Sequence, residues 1–175
     1  MNARIQPLPE LNTTRLEIPR LNNGWRAGQH VRLRVLSTGM GWGGWAEAHP
    51  FTIATAGGGG EDGLVLLCKK AGGWTGKLYE IAKAGGYCEG GLGRGRNISV
   101  IVEGPYGGPG HSVFASYSAA VFVVGGSGIS FALSAAQELV QRDLENASRV
   151  KVIELIWCVQ DHGESNPCSL CVPGF

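Results

Sequence analysis

The hydrophobic rhythm of this chain changes once, near residue 112, and that change limits what it can fold into. Before it, short segments alternate polar and apolar residues, as in Thr14-Arg15-Leu16-Glu17-Ile18 and His30-Val31-Arg32-Leu33-Arg34-Val35. Successive side chains of a strand point to opposite faces, so period-2 alternation means one face buried and one wet. Ala3–Gln6, Phe51–Ala54, Leu64–Cys68 and Ile98–Val102 complete a set of six candidate strands. Short strands joined by Gly- and Pro-rich connections suggest an antiparallel barrel. One helix interrupts the series. Thr75–Ala84 places Leu78, Ile81 and Ala82 on one face, with Thr75 as its N-cap.

After residue 112 the pattern is different. Ala119–Val124 is a continuous apolar run, expected to be a strand buried on both faces. A glycine turn follows, and then Ile129–Arg142, a helix with Leu133, Ala136, Leu139 and Val140 as its inner stripe. Asp143–Ser148 is a polar break, and Val150–Val159 is a second apolar strand. Strand, helix and strand at this spacing form a right-handed parallel βαβ unit. The expected fold is therefore a six-stranded antiparallel barrel over residues 1–110, followed by an incomplete βαβ domain over 111–175. A doubly wound sheet needs about five strands, and one unit supplies two. The tail after Asp161 shows no periodicity and is expected to be irregular.

Composition narrows the function. Glycine takes 29 of 175 positions, more than double an average of about 7%. It does not recur every third residue, which excludes collagen. Apolar residues make up 43%, enough for a core. The formal charge is +1, with no basic run, so nucleic acid is not an expected partner. The start carries charges and no apolar run, so no signal peptide is expected and a soluble chain is. Five irregularly spaced cysteines argue against a disulfide framework. Val113–Ala136 is uncharged, but Gly125-Gly126-Ser127-Gly128 and several serines break it; it reads as strand, turn and helix rather than a membrane span.

Three constellations carry chemistry. Gly125-Gly126-Ser127-Gly128-Ile129-Ser130 follows a strand and opens a helix. A helix start offers free N–H groups and a partial positive charge, and glycines let a diphosphate approach the backbone. The spacing departs from Gly-x-Gly-x-x-Gly because Phe131 holds the last position; alone it also fits a tight βα turn with no ligand. Gly72-Gly73-Trp74-Thr75 is another glycine turn feeding a helix, where Thr75 serves either the helix cap or a phosphate. His49-Pro50-Phe51-Thr52 enters a strand, with His49 and Phe51 sent to one face and Thr52 to the other. A histidine at such an edge is also compatible with a structural role.

In this order the three motifs, with Gly28-Gln29-His30-Val31, Gly104-Pro105-Tyr106-Gly107 and Trp157, resemble the ferredoxin–NADP reductase superfamily. Within it, residues 3–161 are most similar to the cytosolic portion of fungal ferric-chelate reductases, relatives of the NADPH oxidases. The resemblance implies an FAD-binding barrel and a nucleotide-binding α/β domain. It implies that Pro50 and Phe51 lie along the flavin, that Thr52 contacts its reactive edge as the catalytic residue, and that His49 faces the FAD diphosphate or ribityl. It places Gly72, Gly73 and Thr75 at the FAD diphosphate. Gly125, Gly126, Ser127 and Gly128, with Ile129 and Ser130, fall at the NADPH diphosphate. Gly104, Pro105, Tyr106 and Gly107 fall beside the nicotinamide path. The implied activity passes hydride from NADPH to FAD, then single electrons to haem in a membrane domain and to a ferric chelate, with this portion on the cytosolic face.

Several departures qualify that expectation. The family's haem-bearing helices and the second half of its nucleotide domain have no counterpart in these residues. Cys171 precedes Val172, not the glycine of the family's C-terminal Cys-Gly motif. Cys168 and Cys171 lack the second pair that a zinc site needs. Asp161 suits a ribose hydroxyl better than a 2′-phosphate, which keeps NADH as the alternative donor. Other readings are a flavin-binding module without turnover, an NADPH oxidase-type dehydrogenase portion, and a fragment that folds only with a partner. Nothing in the residues assigns an oligomeric state.

Overall fold

Six strands close on themselves in the first part of the chain: β1 (Asn2–Leu8), β2 (Thr13–Ile18), β3 (His30–Leu36), β4 (His49–Thr52), β5 (Leu64–Lys69) and β6 (Arg96–Tyr106). The structure is a computed structural model that describes residues 1–58, 63–85, 95–110 and 113–159, and the backbone of 168–171. The strand order is β4-β3-β6-β1-β2-β5, antiparallel throughout. A bridge between Ile53 and Leu66, with the Ala54 N–H donating to the Val65 carbonyl at 2.8 Å, joins the two outer strands and closes the barrel.

The alternation read in the sequence is what fills it. Val31, Leu33 and Val35 of β3 are buried, and Arg32 between them is exposed. Ile5, Leu16, Ile18, Ile53, Leu64, Leu66 and Val100 complete the interior. The helix α1 (Gly73–Ala84) covers one end and contributes Leu78, Ile81 and Ala82, the face expected of it. It begins two residues earlier than the hydrophobic pattern suggests. Gly72 is the N-cap and Thr75 sits at the third helical position, so the assignment of Thr75 as N-cap is corrected. Strand β6 is also longer than expected. It runs on past Val102 through Gly104, Pro105 and Tyr106, because Tyr106 pairs with His30 of β3.

In the second unit β7 (Ala119–Gly125) and β8 (Val152–Val159) pair in parallel, from Ala119 opposite Val152 to Gly125 opposite Cys158. The helix α2 (Ile129–Leu144) crosses between them. A short strand, β9 (Cys168–Cys171), adds antiparallel to β8, where the sequence suggested an irregular tail. Backbone pairing to the free edge of β8 makes the strand, which hydrophobic periodicity does not report.

Two further expectations are corrected. Strand β7 is buried on one face only: Phe122 is 8% exposed, whereas Val121 is 57% and Val123 69% exposed. A single helix covers a single face of the sheet. The buried stripe of α2 is Ala132, Ala135 and Leu139, with Ala136 partly buried against the same core; Leu139 and Ala136 are therefore where expected, while Leu133 is outside that core and Val140 faces out. The rotation has a cause. The helix packs between the β7–β8 sheet and the barrel, so two of its faces are engaged. No helix among the described residues is long and apolar enough to cross a membrane.

Candidate functional site

The site is assembled around Trp74, in the first turn of α1. Strand β4 alternates as the sequence indicated, and both His49 and Phe51 turn towards this indole. The His49 and Trp74 rings lie 4.4 Å apart at 32°, and those of Phe51 and Trp74 6.0 Å apart at 30°. Trp74 is buried, and its Nε1 donates to the Gly44 carbonyl at 3.4 Å. His49 Nε2 also lies 3.1 Å from a Glu47 carboxylate oxygen. One aromatic residue thus joins two motifs, and it was absent from the residues singled out above. Its position inside the Gly-Gly-Trp-Thr turn was the available signal.

Thr52 points the other way. It stands opposite His30 of β3, which in turn stands opposite Tyr106 of β6. Directly paired residues share a face of the sheet, so Thr52, His30 and Tyr106 form a row on the outside of the barrel. The Thr52 hydroxyl meets no hydrogen-bonding partner among the described residues. Beside this row the Arg32 guanidinium lies 5.6 Å from the Tyr106 ring centre. Pro50 is exposed opposite Arg32, and Gly107 turns back against the His30 ring.

The Gly72-Gly73 turn is open. A Cβ added at either glycine would meet no atom within 4 Å. Thr75 shapes the turn: its Oγ1 accepts from the N–H groups of Ala71 and Gly72, each at 3.0 Å, and donates to the Gly72 carbonyl at 3.2 Å. That hydroxyl is therefore committed to the turn, while the first helical N–H groups have no acceptor within the helix.

The second glycine turn sits at the start of α2. Gly126 has φ of +50°, a backbone state that a β-carbon would strain. Its carbonyl accepts from Trp157 Nε1 at 3.0 Å, so β8 fixes the turn that follows β7. Added Cβ atoms at Gly125 and Gly126 would have nothing nearer than 3.9 Å. Ile129 and Ser130 are buried, which leaves their backbone N–H groups rather than their side chains for a ligand. Ser127 and Gly125 are exposed, and Gly128 is half-buried.

Lysine 69 connects the two turns. Lys69 ends β5, and its ammonium lies 3.9 Å from the Cβ position of Gly126. Three residues further on is Gly72. Lys69 thus leads into the first turn along the chain and lies beside the second in space. No spacing rule in the sequence relates Lys69 to Gly126, which are far apart along the chain.

Helix α2 is tied to the barrel by three side chains. Glu138 accepts from the Ala27 N–H at 2.8 Å, Gln137 from the Ala56 N–H at 3.1 Å, and Ser134 from the Gly28 N–H at 3.4 Å. Arg142 holds the second oxygen of Glu138 at 3.1 Å. Gly28 is required here, because a Cβ would come within 2.6 Å of the Phe131 ring. The expected contribution of Asp161 falls outside the described residues, as do the side chains of Cys168 and Cys171. Among the described residues no cluster of His, Cys, Asp and Glu is arranged to hold a metal.

Comparison with known proteins agrees with this architecture. Residues 1–110 match the model of an FAD-binding domain, and residues 117–172 that of a ferric reductase NAD binding domain. A probable ferric reductase transmembrane component of Candida albicans is 34% identical over 85% of this chain and 20% of its own length. Ferric reduction oxidase 2 of Arabidopsis thaliana is 30% identical over 71% of this chain and 16% of its own length. Human dual oxidase 1 is 34% identical over 66% of this chain and 7% of its own length. The chain therefore spans a fifth or less of these three relatives. In fold it is similar to the ferredoxin-NADP+ reductase of Plasmodium falciparum, with a TM-score of 0.59, 16% identity, and coverage of 92% of this chain and 60% of that one. With both domain models matched in order along a barrel and a βαβ unit, the chain belongs to the ferric reductase family of FAD- and NAD(P)-binding oxidoreductases.

Proposed function

We propose that this chain is the dehydrogenase portion of a ferric reductase. It takes hydride from NADPH, with NADH as the alternative donor, into FAD, and sends single electrons towards a haem-bearing membrane domain and ferric iron. One observation carries the reading: α1 and α2 each begin at a glycine turn with open space against its backbone, and the Lys69 ammonium lies beside the second. Two dinucleotides meeting for hydride transfer present two diphosphates, and each helix start offers N–H groups and positive potential to one of them.

The residues fit those groups. The open space at Gly72 and Gly73 leaves room for a diphosphate against the backbone of α1, in a turn that Thr75 holds in shape. Gly125 to Gly128 would hold the nicotinamide nucleotide's diphosphate, with Lys69 balancing its charge. FAD, when bound, supplies the conversion of a two-electron donor into single electrons. The unpartnered Thr52 hydroxyl is free to hydrogen-bond the flavin edge, and Tyr106 and Gly107 border the same row of the sheet. His49 and Phe51, stacked on Trp74, fix the direction of β4.

The test is a single preparation. The protein is expected to be yellow and to bleach when NADPH is added without oxygen. A colourless protein would remove the FAD assignment. A yellow protein that NADPH leaves unchanged favours a flavin-binding module without turnover, a reading that the uncovered face of β7 also supports. Thr52→Val should slow bleaching about tenfold, the worth of one hydrogen bond. Ser127→Glu and Lys69→Gln should weaken nucleotide binding and leave the flavin in place.

A further inference from the structure

Asn23 is the one asparagine in the chain that precedes a glycine. An asparagine side chain is open to attack by the backbone nitrogen of the next residue, and a glycine there has no β-carbon to obstruct the approach. The structure leaves both reactants free. Asn22, Asn23 and Gly24 are exposed. Gly24 has φ of +103°, and a Cβ built on it would meet nothing within 4 Å. Neither the Asn23 side chain nor the Gly24 N–H has a hydrogen-bond partner among the described residues.

On either side of this pair the chain is held. The Asn22 carbonyl accepts from the Gly58 N–H at 2.6 Å. Trp25 is buried, and its Nε1 donates to the Thr55 carbonyl at 2.8 Å. Ala27 is buried as well, with its N–H on Glu138 of α2 at 2.8 Å. Two untethered residues thus sit between fixed ones. The electrostatics favour the attack, because the nitrogen acts as an anion after losing its proton. Arg20 and Arg26 flank the pair along the chain, both exposed, and no acid occurs between Glu17 and Glu47. Positive neighbours stabilise a negative nitrogen.

We propose that Asn23 is a site of spontaneous modification, where deamidation yields aspartate and isoaspartate and the isoaspartate loosens the tie between the barrel and α2. The Gly24 nitrogen loses its proton and bonds to the Asn23 Cγ, and the side-chain nitrogen leaves as ammonia, which closes a succinimide ring. Water then opens the ring. Cleavage between the nitrogen and Cγ gives aspartate. Cleavage between the nitrogen and the main-chain carbonyl carbon gives isoaspartate, whose backbone runs through the side chain and is longer by a methylene. The net change is uptake of water and loss of ammonia, with no oxidant or reductant. The extra methylene has to be absorbed between Asn22 and Trp25, next to the segment that carries Ala27 to its bond with Glu138. The aspartyl product alters charge alone.

The whole chain, incubated at mildly alkaline pH and mapped by peptide mass spectrometry, tests the site. Asn23 should exchange NH2 for OH at least about tenfold faster than Asn12, Asn97 or Asn146, a modest difference in barrier. The rate should rise with hydroxide concentration. Isoaspartate is read by methyl transfer from labelled S-adenosylmethionine with an isoaspartyl methyltransferase, and Asn23→Gln, which closes the larger ring poorly, should abolish that label. Conversion of Asn23 no faster than that of the other three asparagines would overturn the proposal. The link to α2 is read by amide hydrogen exchange at Ala27, followed by NMR. Exchange should quicken in the isoaspartyl form separated by ion exchange and stay unchanged in Asn23→Asp. Unchanged exchange in the isoaspartyl form would overturn the loosening. Equal quickening in Asn23→Asp would also overturn it, because charge rather than the longer backbone would then be the cause. None of these readouts needs flavin or nucleotide, so they stand apart from the fate of the proposed function.

Discussion

Two neighbouring residues in the barrel show how single side chains tune its stability. Thr14 of β2 and Cys68 of β5 face each other in register, and both are completely buried. The Thr14 Oγ1 has no hydrogen-bond partner, and a hydroxyl buried in this way costs free energy. Thr14→Val keeps the shape and the β-branch, so it should stabilise the protein by about 1 kcal/mol in urea unfolding. Cys68 acts through pH. Burial pushes its thiol far above the usual range, whereas an exposed thiol ionises near about 8.5. The folded state then holds a proton that the unfolded state releases, and stability falls as pH rises above about 8.5. A urea titration from pH 7 to 10 should show the decline, and Cys68→Ala should flatten it. At this scale the sequence was informative about position, since alternation placed both strands, but not about satisfaction. Whether a hydroxyl finds an acceptor depends on which strand lies opposite.

Helix α2 shows the same division at the scale of an element. Its existence and its glycine start were legible from Gly125 to Arg142. Its buried face was not, because an amphipathic pattern reports one apolar stripe and this helix serves two neighbours. Alanines and Leu139 meet the sheet, while Ser134, Gln137 and Glu138 accept hydrogen bonds from barrel loops. Polar residues outside the apolar stripe are thus the ties between the two units. A bond from a buried N–H to a charged acceptor contributes about 1.5–3 kcal/mol. Glu138→Ala should therefore destabilise the protein by about 2 kcal/mol in urea unfolding, and Glu138→Gln by clearly less, since an amide oxygen still accepts from Ala27. Equal losses in the two variants would mean that the Arg142 pair, not the Ala27 bond, is what matters.

For the whole molecule, the two cores are unequal. The barrel closes on itself around a continuous interior, whereas the βαβ unit leaves Val121, Val123 and Val152 at the surface. A hollow of about 250 Å³ lined by Phe114, Tyr117, Phe122 and Phe131 lies along the same strand. FAD bound at the α1 turn should raise the melting temperature, because a ligand held only by the folded state at a hundred times its Kd stabilises it by about 2.7 kcal/mol. Calorimetry with and without FAD measures this. The gain should survive Ser127→Glu, since that residue belongs to the other turn, and be lost with Gly72→Glu, whose carboxylate would occupy the open space of the first.

The sequence by itself determined the element types, because side-chain alternation and glycine punctuation are local consequences of backbone geometry. It placed six strands, both helices and both glycine turns in the right order. It also singled out the motifs of His49, Thr52, Gly72 and Gly126, which the candidate site brings together with Trp74. Only the tertiary structure decided what lies between those motifs: Trp74 under His49, Lys69 beside Gly126, Tyr106 in a strand, and α2 strapped to Ala27. These relations join residues that are distant along the chain, or depend on which neighbour packs on a helix face. A closed barrel sets such distances through strand order and register, and neither is written in any one segment.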